Sequence, residues 1–163
     1  MSGSGKCMKN DKKRDFGKKP AREKITPLGK KGRKIGECIF CKLPEIAILV
    51  QNDLALAFFD KFPVNEGHVL IIPKRHVVSF FDLTEEEVLG TWRLVQEVKD
   101  LLDSRFHPVA YNVGVNVGAA AGQSVFHAHI HVIPRYEGDV SNPLGGVRNV
   151  KKSIVPYAGD GEK

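Results

Sequence analysis

The feature that most constrains the fold of this chain is a run at positions 126–135 in which histidines alternate with apolar residues. The alternating histidines are His127, His129 and His131. Successive side chains of a β-strand point to opposite faces, whereas a helix would spread these residues around its axis at about 100° per residue. The alternation therefore predicts a strand with three imidazoles on one face and Ala128, Ile130 and Val132 on the other.

Three imidazoles on one strand face have three explanations. They can be core histidines whose ring nitrogens are hydrogen-bonded, ligands of a metal ion, or a nucleophile with helper groups beside it. The loop before the strand favours chemistry on phosphate, because residues 118–122 are glycine and alanine, and Gln123 and Ser124 follow. Small residues let backbone N–H groups approach a phosphate, and amide and hydroxyl groups add donors. Taken alone, the same loop is typical of a plain turn between strands.

Residues 123–133, Gln-Ser-Val-Phe-His-Ala-His-Ile-His-Val-Ile, closely resemble the signature of the histidine-triad (HIT) family of nucleotide hydrolases and transferases. The resemblance extends over residues 36–135. It implies attack by the middle histidine, His129, on a nucleoside α-phosphate, and a homodimer in which two domains share a continuous sheet. The third histidine, His131, argues for a hydrolase, because the transferases that resemble this pattern place glutamine there.

The resemblance also implies roles for individual residues. Asp60 would bind the two ribose hydroxyls, and His68 would help to orient the nucleophile through a hydrogen-bond network. The backbone carbonyl of His127 would fix the tautomer of His129. Charge on the phosphoryl oxygens would be stabilised by His131, Ser124, Gln123 and Asn116. The implied substrate is a purine nucleotide conjugate, either adenosine phosphoramidate or a diadenosine polyphosphate, hydrolysed through a nucleotidyl-histidine intermediate without a catalytic cofactor.

A Cys-x-x-Cys pair, Cys38 and Cys41, can place two thiolates on one structural zinc ion. No second Cys pair is present in the sequence, so the remaining ligands would have to be histidines. The resemblance to zinc-bearing family members points to His76 and His127, which gives His127 a structural role. Two buried thiols without a metal are the alternative. A redox pair is disfavoured because no thioredoxin-like strand–helix context surrounds the motif.

Strand-forming apolar runs at residues 46–50 and 54–59 flank three turn residues, and this pattern predicts a hairpin. Further strands are predicted at residues 68–73 and 109–117, before the histidine strand. Together these elements predict an α+β domain, with an antiparallel sheet of about five strands and one long helix after the third strand.

The long helix is predicted to begin after Thr84, which stands three residues before Glu87 at the spacing of a capping box. Pro108 prevents its continuation beyond His107. Apolar residues at three- and four-residue steps predict the core-facing side of this helix. They are Val88, Leu89, Trp92, Val95, Val98, Leu101 and Leu102.

Positive charge is concentrated at the start of the chain. Residues 1–34 carry 13 Lys or Arg against three acidic residues, so the formal charge of +6 arises entirely from this segment and the remainder is mildly acidic. Few apolar residues are available there to offset the cost of ordering the backbone. We expect a disordered basic tail at residues 1–34, which can contact nucleic acid weakly or serve as a nuclear address, and a catalytic domain with a C-terminal loop segment at residues 35–163.

No apolar run approaches the ~18 residues of a membrane span, and the N-terminus lacks the apolar region of a signal peptide. Three cysteines, an odd number, do not form a disulfide framework and suit a reducing compartment. We therefore expect a cytoplasmic protein without a membrane partner, and a nuclear location as the alternative.

Three other functions stay open from the sequence. The basic tail motivates hydrolysis of adenylylated nucleic acid, although no zinc-finger spacing follows the triad. A nucleotide-binding sensor would use the same pocket without turnover. A hydrolase with a catalytic zinc would bind the metal through all three histidines.

Overall fold

The computed structural model describes residues 38–150, and the predicted basic tail at residues 1–34 lies outside this range. Five strands form one antiparallel sheet. They are Ile48–Gln51 (β1), Ala55–Phe59 (β2), Val69–Pro73 (β3), Ala110–Gly114 (β4) and Ile130–Arg135 (β5). A single long helix, Glu85–Phe106 (α1), connects β3 to β4. The predicted α+β class, with a sheet of about five strands and one long helix after the third, is confirmed.

The histidine strand lies inside the sheet, whose strand order is β1-β2-β3-β5-β4. His131 pairs with Leu70 of β3 on one side and with Gly114 of β4 on the other. The ladder between β3 and β5 stops at Val132, so Pro134 lies beyond it. A proline within β5 therefore interrupts no bond to β3, in keeping with the places where sheets tolerate this residue.

The predicted hairpin is formed by β1 and β2, which pair antiparallel. Asn52 holds their turn, because its side-chain oxygen accepts hydrogen bonds from the N–H groups of Leu54 and Ala55 at 3.0 and 2.8 Å. Its amide nitrogen donates to the carbonyl of Gly90 in α1 at 2.8 Å. One asparagine thus closes the turn and ties the hairpin to the helix.

Both predicted ends of α1 are confirmed. Thr84 caps the first turn, and the reciprocal bonds between Thr84 and Glu87 form a capping box. The Glu87 carboxylate also accepts two hydrogen bonds from Arg75, at 2.8 and 2.7 Å. The last helical residue is Phe106, and His107 adopts a left-handed conformation with φ of +50° before Pro108.

The two faces of the sheet carry separate apolar clusters. On the helix side, buried residues of the sheet pack against α1; they are Ala55, Ala57, Val69, Ile71, Ile130 and Val132. The opposite cluster contains Phe58, Leu70 and Ile72 together with Cys38 and Phe40. Since His131 alternates with Ile130 and Val132, it lies on the face opposite the helix.

The predicted core face of α1 is partly wrong. Leu89 and Trp92 are 52% and 44% exposed, whereas Thr91 and Leu94 are buried. The buried stripe follows Thr91, Leu94, Val95, Val98 and Leu102. At about 100° per residue, position 89 falls about 160° and position 92 about 100° from the centre of this stripe. Apolar character alone therefore placed these two residues on the wrong side.

Two predicted strands are shorter than expected. β4 ends at Gly114 instead of residue 117, and β5 begins at Ile130, so His127 and His129 precede it. The residues before β5 are held by the last residue of β3 and by the segment that follows it. The N–H of Ala128 donates to the carbonyl of Val77 at 2.6 Å, and the ring of His127 donates to the carbonyl of Pro73 at 2.9 Å. These bonds replace a regular ladder at this point.

Within residues 38–150, no helix combines the length and the apolar character that crossing a membrane would require.

Candidate active site and metal site

The ring of His129 is held in one tautomer by a backbone carbonyl. Its side chain is 4% exposed, and its Nδ1 lies 2.7 Å from the backbone carbonyl of His127. A carbonyl oxygen only accepts, so Nδ1 carries the proton and the lone pair of the neutral ring is on Nε2. Among residues 38–150, Nε2 has no hydrogen-bond partner. The tautomer that the resemblance implies for His129 is thus the one that this contact selects.

Aromatic packing restricts the rotation of the His129 ring. The edge of Phe40 approaches it in a T-shaped arrangement with centroids 5.4 Å apart, and the His131 ring lies 4.9 Å away on another side. Phe40 is itself buried against Phe58. Sequence reasoning missed Phe40, although its position between the two cysteines ties it to the candidate metal ligands.

His131, His68 and Asp60 form a chain of contacts beside His129. His131 Nδ1 lies 3.0 Å from His68 Nε2. On the other side of the His68 ring, Nδ1 accepts a hydrogen bond from the N–H of Val64 at 3.2 Å and lies 3.4 Å from Asp60 Oδ2. The other oxygen of Asp60 accepts from the N–H of Phe62 at 2.9 Å. The structure therefore brings these three predicted site residues together.

Burial favours the neutral form of the imidazoles of His68, His127 and His131. It lowers the pKa of His68 and of His127 below the ordinary value for histidine. Burial, followed by the neighbouring rings of His129 and His68, lowers the pKa of His131 to about 4. The carboxylate of Asp60 acts in the opposite direction on His68 and His131, but burial is the larger effect.

The loop before His127 contains two glycines with left-handed backbone. Gly118 and Gly122 have φ of +87° and +86°, and a Cβ at either position would meet nothing within 4 Å. Ser124 is exposed at the end of this loop. The open space is compatible with close approach of a phosphate group to the backbone.

Gln123 is buried and holds the loop together. Its side-chain oxygen accepts from the N–H of Gly118 at 2.8 Å, and its amide nitrogen donates to the carbonyls of Val78 and Val125 at 2.8 and 3.2 Å. Because both amide hydrogens are engaged, a direct contact between Gln123 and phosphate stays a prediction. Asn116 is half-buried between β4 and the loop, and its predicted contact with phosphate also stays a prediction.

Cys38, Cys41, His76 and His127 form a second cluster, with ligand atoms all within 4.8 Å of one another. The Nδ1 atom of His127 lies 3.5 and 3.6 Å from the two sulfurs, and Nδ1 of His76 lies 3.3 Å from Sγ of Cys41. Tetrahedral zinc with ordinary bond lengths separates a sulfur and a nitrogen ligand by about 3.5 Å. Two sulfurs and two imidazole nitrogens at these separations fit zinc.

His127 has the hydrogen bond that a metal-binding imidazole needs. Its Nε2 donates to the carbonyl of Pro73 at 2.9 Å, which leaves Nδ1 free to bind a cation. Such a bond on the far ring nitrogen orients the ligand and fixes its tautomer. Within the described region, His127 faces the two cysteines, while His129 faces His131 and Phe40.

The fold and the site together define a class of protein. It is an α+β domain in which a histidine of fixed tautomer follows a loop flanked by glycines. The HIT domain family model matches residues 44–138, more than half of the chain. The protein therefore belongs to the HIT family, as the resemblance of the triad indicated.

Alignments with similar proteins cover most of the described region. The "Uncharacterized 16.1 kDa HIT-like protein" of Mycoplasma pneumoniae is 41% identical over 120 residues, which cover 71% of this chain and 81% of that protein. A crystal structure of a HIT family protein from Bacillus anthracis superimposes with a TM-score of 0.59 and 37% identity, covering 63% of this chain and 76% of the other. A zinc-bound histidine triad family protein from Mycobacterium smegmatis has a TM-score of 0.58 and 34% identity, covering 64% and 78%.

Enzyme names occur among the similar proteins. The asymmetrical bis(5'-nucleosyl)-tetraphosphatase of Schizosaccharomyces pombe is 37% identical over 94 residues, covering 58% of this chain and 52% of that protein. Adenylylsulfatase HINT3 of Arabidopsis thaliana is 36% identical over 107 residues, covering 63% and 54%. The family thus includes hydrolases.

Proposed function

We propose that this protein is a nucleotide hydrolase that acts at the α-phosphate of a purine nucleotide conjugate through a covalent intermediate on His129. The observation that carries the proposal is the 2.7 Å contact between Nδ1 of His129 and the carbonyl of His127. It leaves the Nε2 lone pair as the nucleophile of a neutral ring. Adenosine phosphoramidate and diadenosine polyphosphates are the substrates that we infer. The similar tetraphosphatase and adenylylsulfatase, whose names describe hydrolysis of nucleotide conjugates, support this substrate class.

In the first step, Nε2 of His129 attacks the α-phosphorus, and the bond from phosphorus to the leaving group breaks. The leaving group departs with the electron pair of that bond, and a departing amine takes its proton from solvent. The ring gains positive charge, and the His127 carbonyl stabilises it through the Nδ1 proton. In the second step, water attacks the same phosphorus and releases a proton to solvent. The P–N bond breaks with its electron pair returning to Nε2, so the nucleoside monophosphate is released with the neutral ring restored. Splitting the reaction in this way replaces one difficult displacement by two easier ones.

Donors around the phosphoryl group stabilise the charge that develops in both steps. His131 and Ser124 are the donors that we assign to direct contact, with Asn116 beside them. Gln123 supports the loop that carries Ser124. Each fixed donor of this kind contributes a factor of about 10²–10³ in rate in characterised enzymes.

We assign the ribose to Asp60. Its Oδ1 accepts a hydrogen bond from the N–H of Phe62. Within residues 38–150, Oδ2 of Asp60 accepts no hydrogen bond and lies 3.4 Å from Nδ1 of His68. A carboxylate oxygen in this state can accept from ribose hydroxyls. Selection of a nucleoside would then depend on Asp60, which directly follows β2 and lies beside His68.

We propose that Cys38, Cys41, His76 and His127 hold a structural zinc ion. The support is the set of sulfur–nitrogen separations and the bond from His127 to Pro73. Zinc bound there would cross-link the residues before β1 to the segments around β3 and β5. None of the proposed chemical steps uses the metal.

A panel of substrates tests the proposed function. Purified protein is incubated separately with adenosine phosphoramidate, diadenosine polyphosphates and adenylyl sulfate, and AMP is measured by chromatography. Release of AMP from one or more of them, absent from the His129→Asn variant, supports the hydrolase. Binding of all of them without AMP release would contradict it and favour the nucleotide sensor.

We also propose a homodimer. β4 is an edge strand of the sheet, and α1 exposes Leu89 and Trp92. An edge strand offers free backbone groups for pairing with a second copy. Light scattering after size-exclusion chromatography would give twice the chain mass for a dimer, and a monomer mass over a wide concentration range would contradict this proposal.

A further inference from the structure

The turn between β2 and β3 carries Asp60 and His68 at its two ends. The N–H of Asp60 donates to the carbonyl of His68 at 2.9 Å, and the N–H of His68 donates to the carbonyl of Asn65 at 3.1 Å. Phe62 and Val64, near the tip of the turn, are 80% and 68% exposed. Strand pairing holds the ends of the turn, so its tip needs contacts of its own to stay in one place.

Asn65 ties the tip of this turn to the residues around the end of β5. Its amide nitrogen donates to the carbonyl of Pro134 at 3.0 Å and to Oδ2 of Asp139 at 2.7 Å, so both amide hydrogens are used. Beside it, the hydroxyl of Tyr136 donates to the carbonyl of Glu66 at 3.1 Å. These contacts all reach the same short stretch of chain, and the turn is therefore docked there.

Asp139 is held as an acceptor by Arg135. Nε and Nη2 of Arg135 donate to Oδ2 and Oδ1 of Asp139, both at 2.6 Å, and Nη1 donates to Oδ1 of Asn112 in β4, also at 2.6 Å. The hydrogen bond from Arg135, followed by that from the N–H of Tyr136, lowers the pKa of Asp139 well below its usual range. Because a bidentate pair of this kind fixes the orientation of the carboxylate, Asn65 meets a rigid, ionised acceptor.

From these contacts we propose that Asn65 is a positioning residue, anchored by the Asp139 carboxylate, that holds the turn so that Asp60 meets the ribose of the bound nucleotide. The proposal rests on the proposed function and adds to it residues that touch no substrate. Asp60 moves with the turn because its Oδ1 accepts from the N–H of Phe62 at 2.9 Å. Release of the tip should therefore disturb ribose binding more than attack by His129, whose ring is fixed by a bond outside the turn.

Binding of AMP and of 2′-deoxy-AMP, measured by isothermal titration calorimetry, tests this role without turnover. The wild type should bind AMP about tenfold more tightly, since a hydrogen bond to a charged group contributes roughly this factor. We expect Asn65→Ala to reduce the preference to about twofold, chiefly through weaker binding of AMP. A variant that is merely less stable would lose affinity for both nucleotides alike.

Asn142→Ala is the matched control. The side chain of Asn142 is exposed and accepts from the nearby N–H of Leu144, so this variant should keep the wild-type preference for AMP. A wild-type preference in folded Asn65→Ala, or an equal loss of affinity for both nucleotides, would overturn the positioning role. Equal affinity of the wild type for the two nucleotides would overturn it as well.

Asp139→Asn weakens the anchor while Asn65 itself is unchanged, and it decides the question if Asn65→Ala does not fold. Both carboxylate oxygens of Asp139 accept from Arg135, so an amide nitrogen in either place would face a donor. We expect the preference for AMP to fall by about twofold or more in protein that circular dichroism shows to be folded. An unchanged preference would overturn the inference. Failure of the proposed hydrolase would instead appear as absent AMP release from the substrate panel, with the affinity ratios as stated.

Discussion

His127 and His129 are joined by a hydrogen bond of 2.7 Å, in which the backbone carbonyl of His127 accepts from Nδ1 of His129. The ring of His127 points elsewhere, with Nδ1 3.5 and 3.6 Å from the sulfurs of Cys38 and Cys41. One residue thus orients the proposed nucleophile with its backbone and contributes its ring to the candidate zinc site. The stability of the metal site and the geometry of the nucleophile should therefore be linked.

Loss of a cysteine ligand should remove the zinc and lower stability. We expect the wild type to bind about one zinc per chain and Cys38→Ser to lose most of it, with a lower melting temperature. Elemental analysis and thermal unfolding measure both effects. Cys7→Ser is the matched control, since it removes the remaining cysteine of the chain, which is not one of the four proposed ligands. Unchanged zinc in Cys38→Ser would rule out this ligand set.

Chelation distinguishes a structural zinc from a catalytic one. We expect removal of zinc to lower the melting temperature, with activity lost in proportion to folded protein. Circular dichroism and AMP release are measured on the same samples. Complete loss of turnover in a protein that stays folded, with recovery on adding zinc, would favour the catalytic-zinc hydrolase.

Gly67→Ala should destabilise the turn that carries Val64 and His68. Gly67 has φ of +78°, and a Cβ there would lie 3.2 Å from the side chains of Phe106 and Pro134. Gly138→Ala is the control, because Gly138 has φ of +76° with nothing within 4 Å. We expect Gly67→Ala to lower the free energy of unfolding by about 1–3 kcal/mol more than the control, measured by urea unfolding. Equal effects would show that the turn has room for a methyl group.

Glu87 should contribute more to stability than its neighbour Glu86. Glu87 bonds the N–H of Thr84 at 2.9 Å and pairs with Arg75, whereas Glu86 is exposed. Replacing Glu87 by Ala removes half of the capping box, so we expect a loss of about 1–2 kcal/mol in the free energy of unfolding. Arg75 is 53% exposed, which limits the contribution of the Arg75–Glu87 ion pair to the free energy of unfolding. Glu86→Ala should change stability little, and a similar loss there would contradict the assignment.

Stability should fall as the pH drops from about 6.5 to about 4. In the folded protein the pKa of His131 is lowered to about 4, whereas an unfolded histidine titrates near ~6.5. Between these values the unfolded chain binds more protons, so protonation favours unfolding. Denaturant unfolding across this range should show a weaker pH dependence for His131→Gln than for the wild type. Parallel curves for the two proteins would contradict the lowered pKa.

The sequence predicts local structure well where one short pattern decides it. The capping box at Thr84, the turn at Asn52 and the alternation through Ile130 and Val132 each depend on neighbours along the chain. Periodicity alone does not determine which side of α1 is buried. For this reason the prediction that Trp92 faces the core is wrong. Its orientation depends on packing against a sheet formed by distant residues.

The features of the site that the sequence did not reveal depend on backbone groups or distant contacts. The N–H of Val64 leaves no trace in residue type, yet it determines the tautomer of His68. The carbonyl of Pro73 fixes the ring of His127 across 54 positions of the chain. The residue type of Gln123 predicts an amide donor for phosphate. In the structure its amide nitrogen donates to the backbone carbonyls of Val78 and Val125 instead.

The most direct measurement is a search for nucleotide covalently bound to His129. Wild-type protein is mixed with adenosine phosphoramidate or a diadenosine polyphosphate, quenched in base, digested and examined by mass spectrometry, with His129→Asn as the control. We expect an acid-labile adenylyl group on His129 in the wild type, and none in the variant, which should also release no AMP. An adduct on His127 or His131 instead, or full turnover by His129→Asn, would contradict the proposed nucleophile.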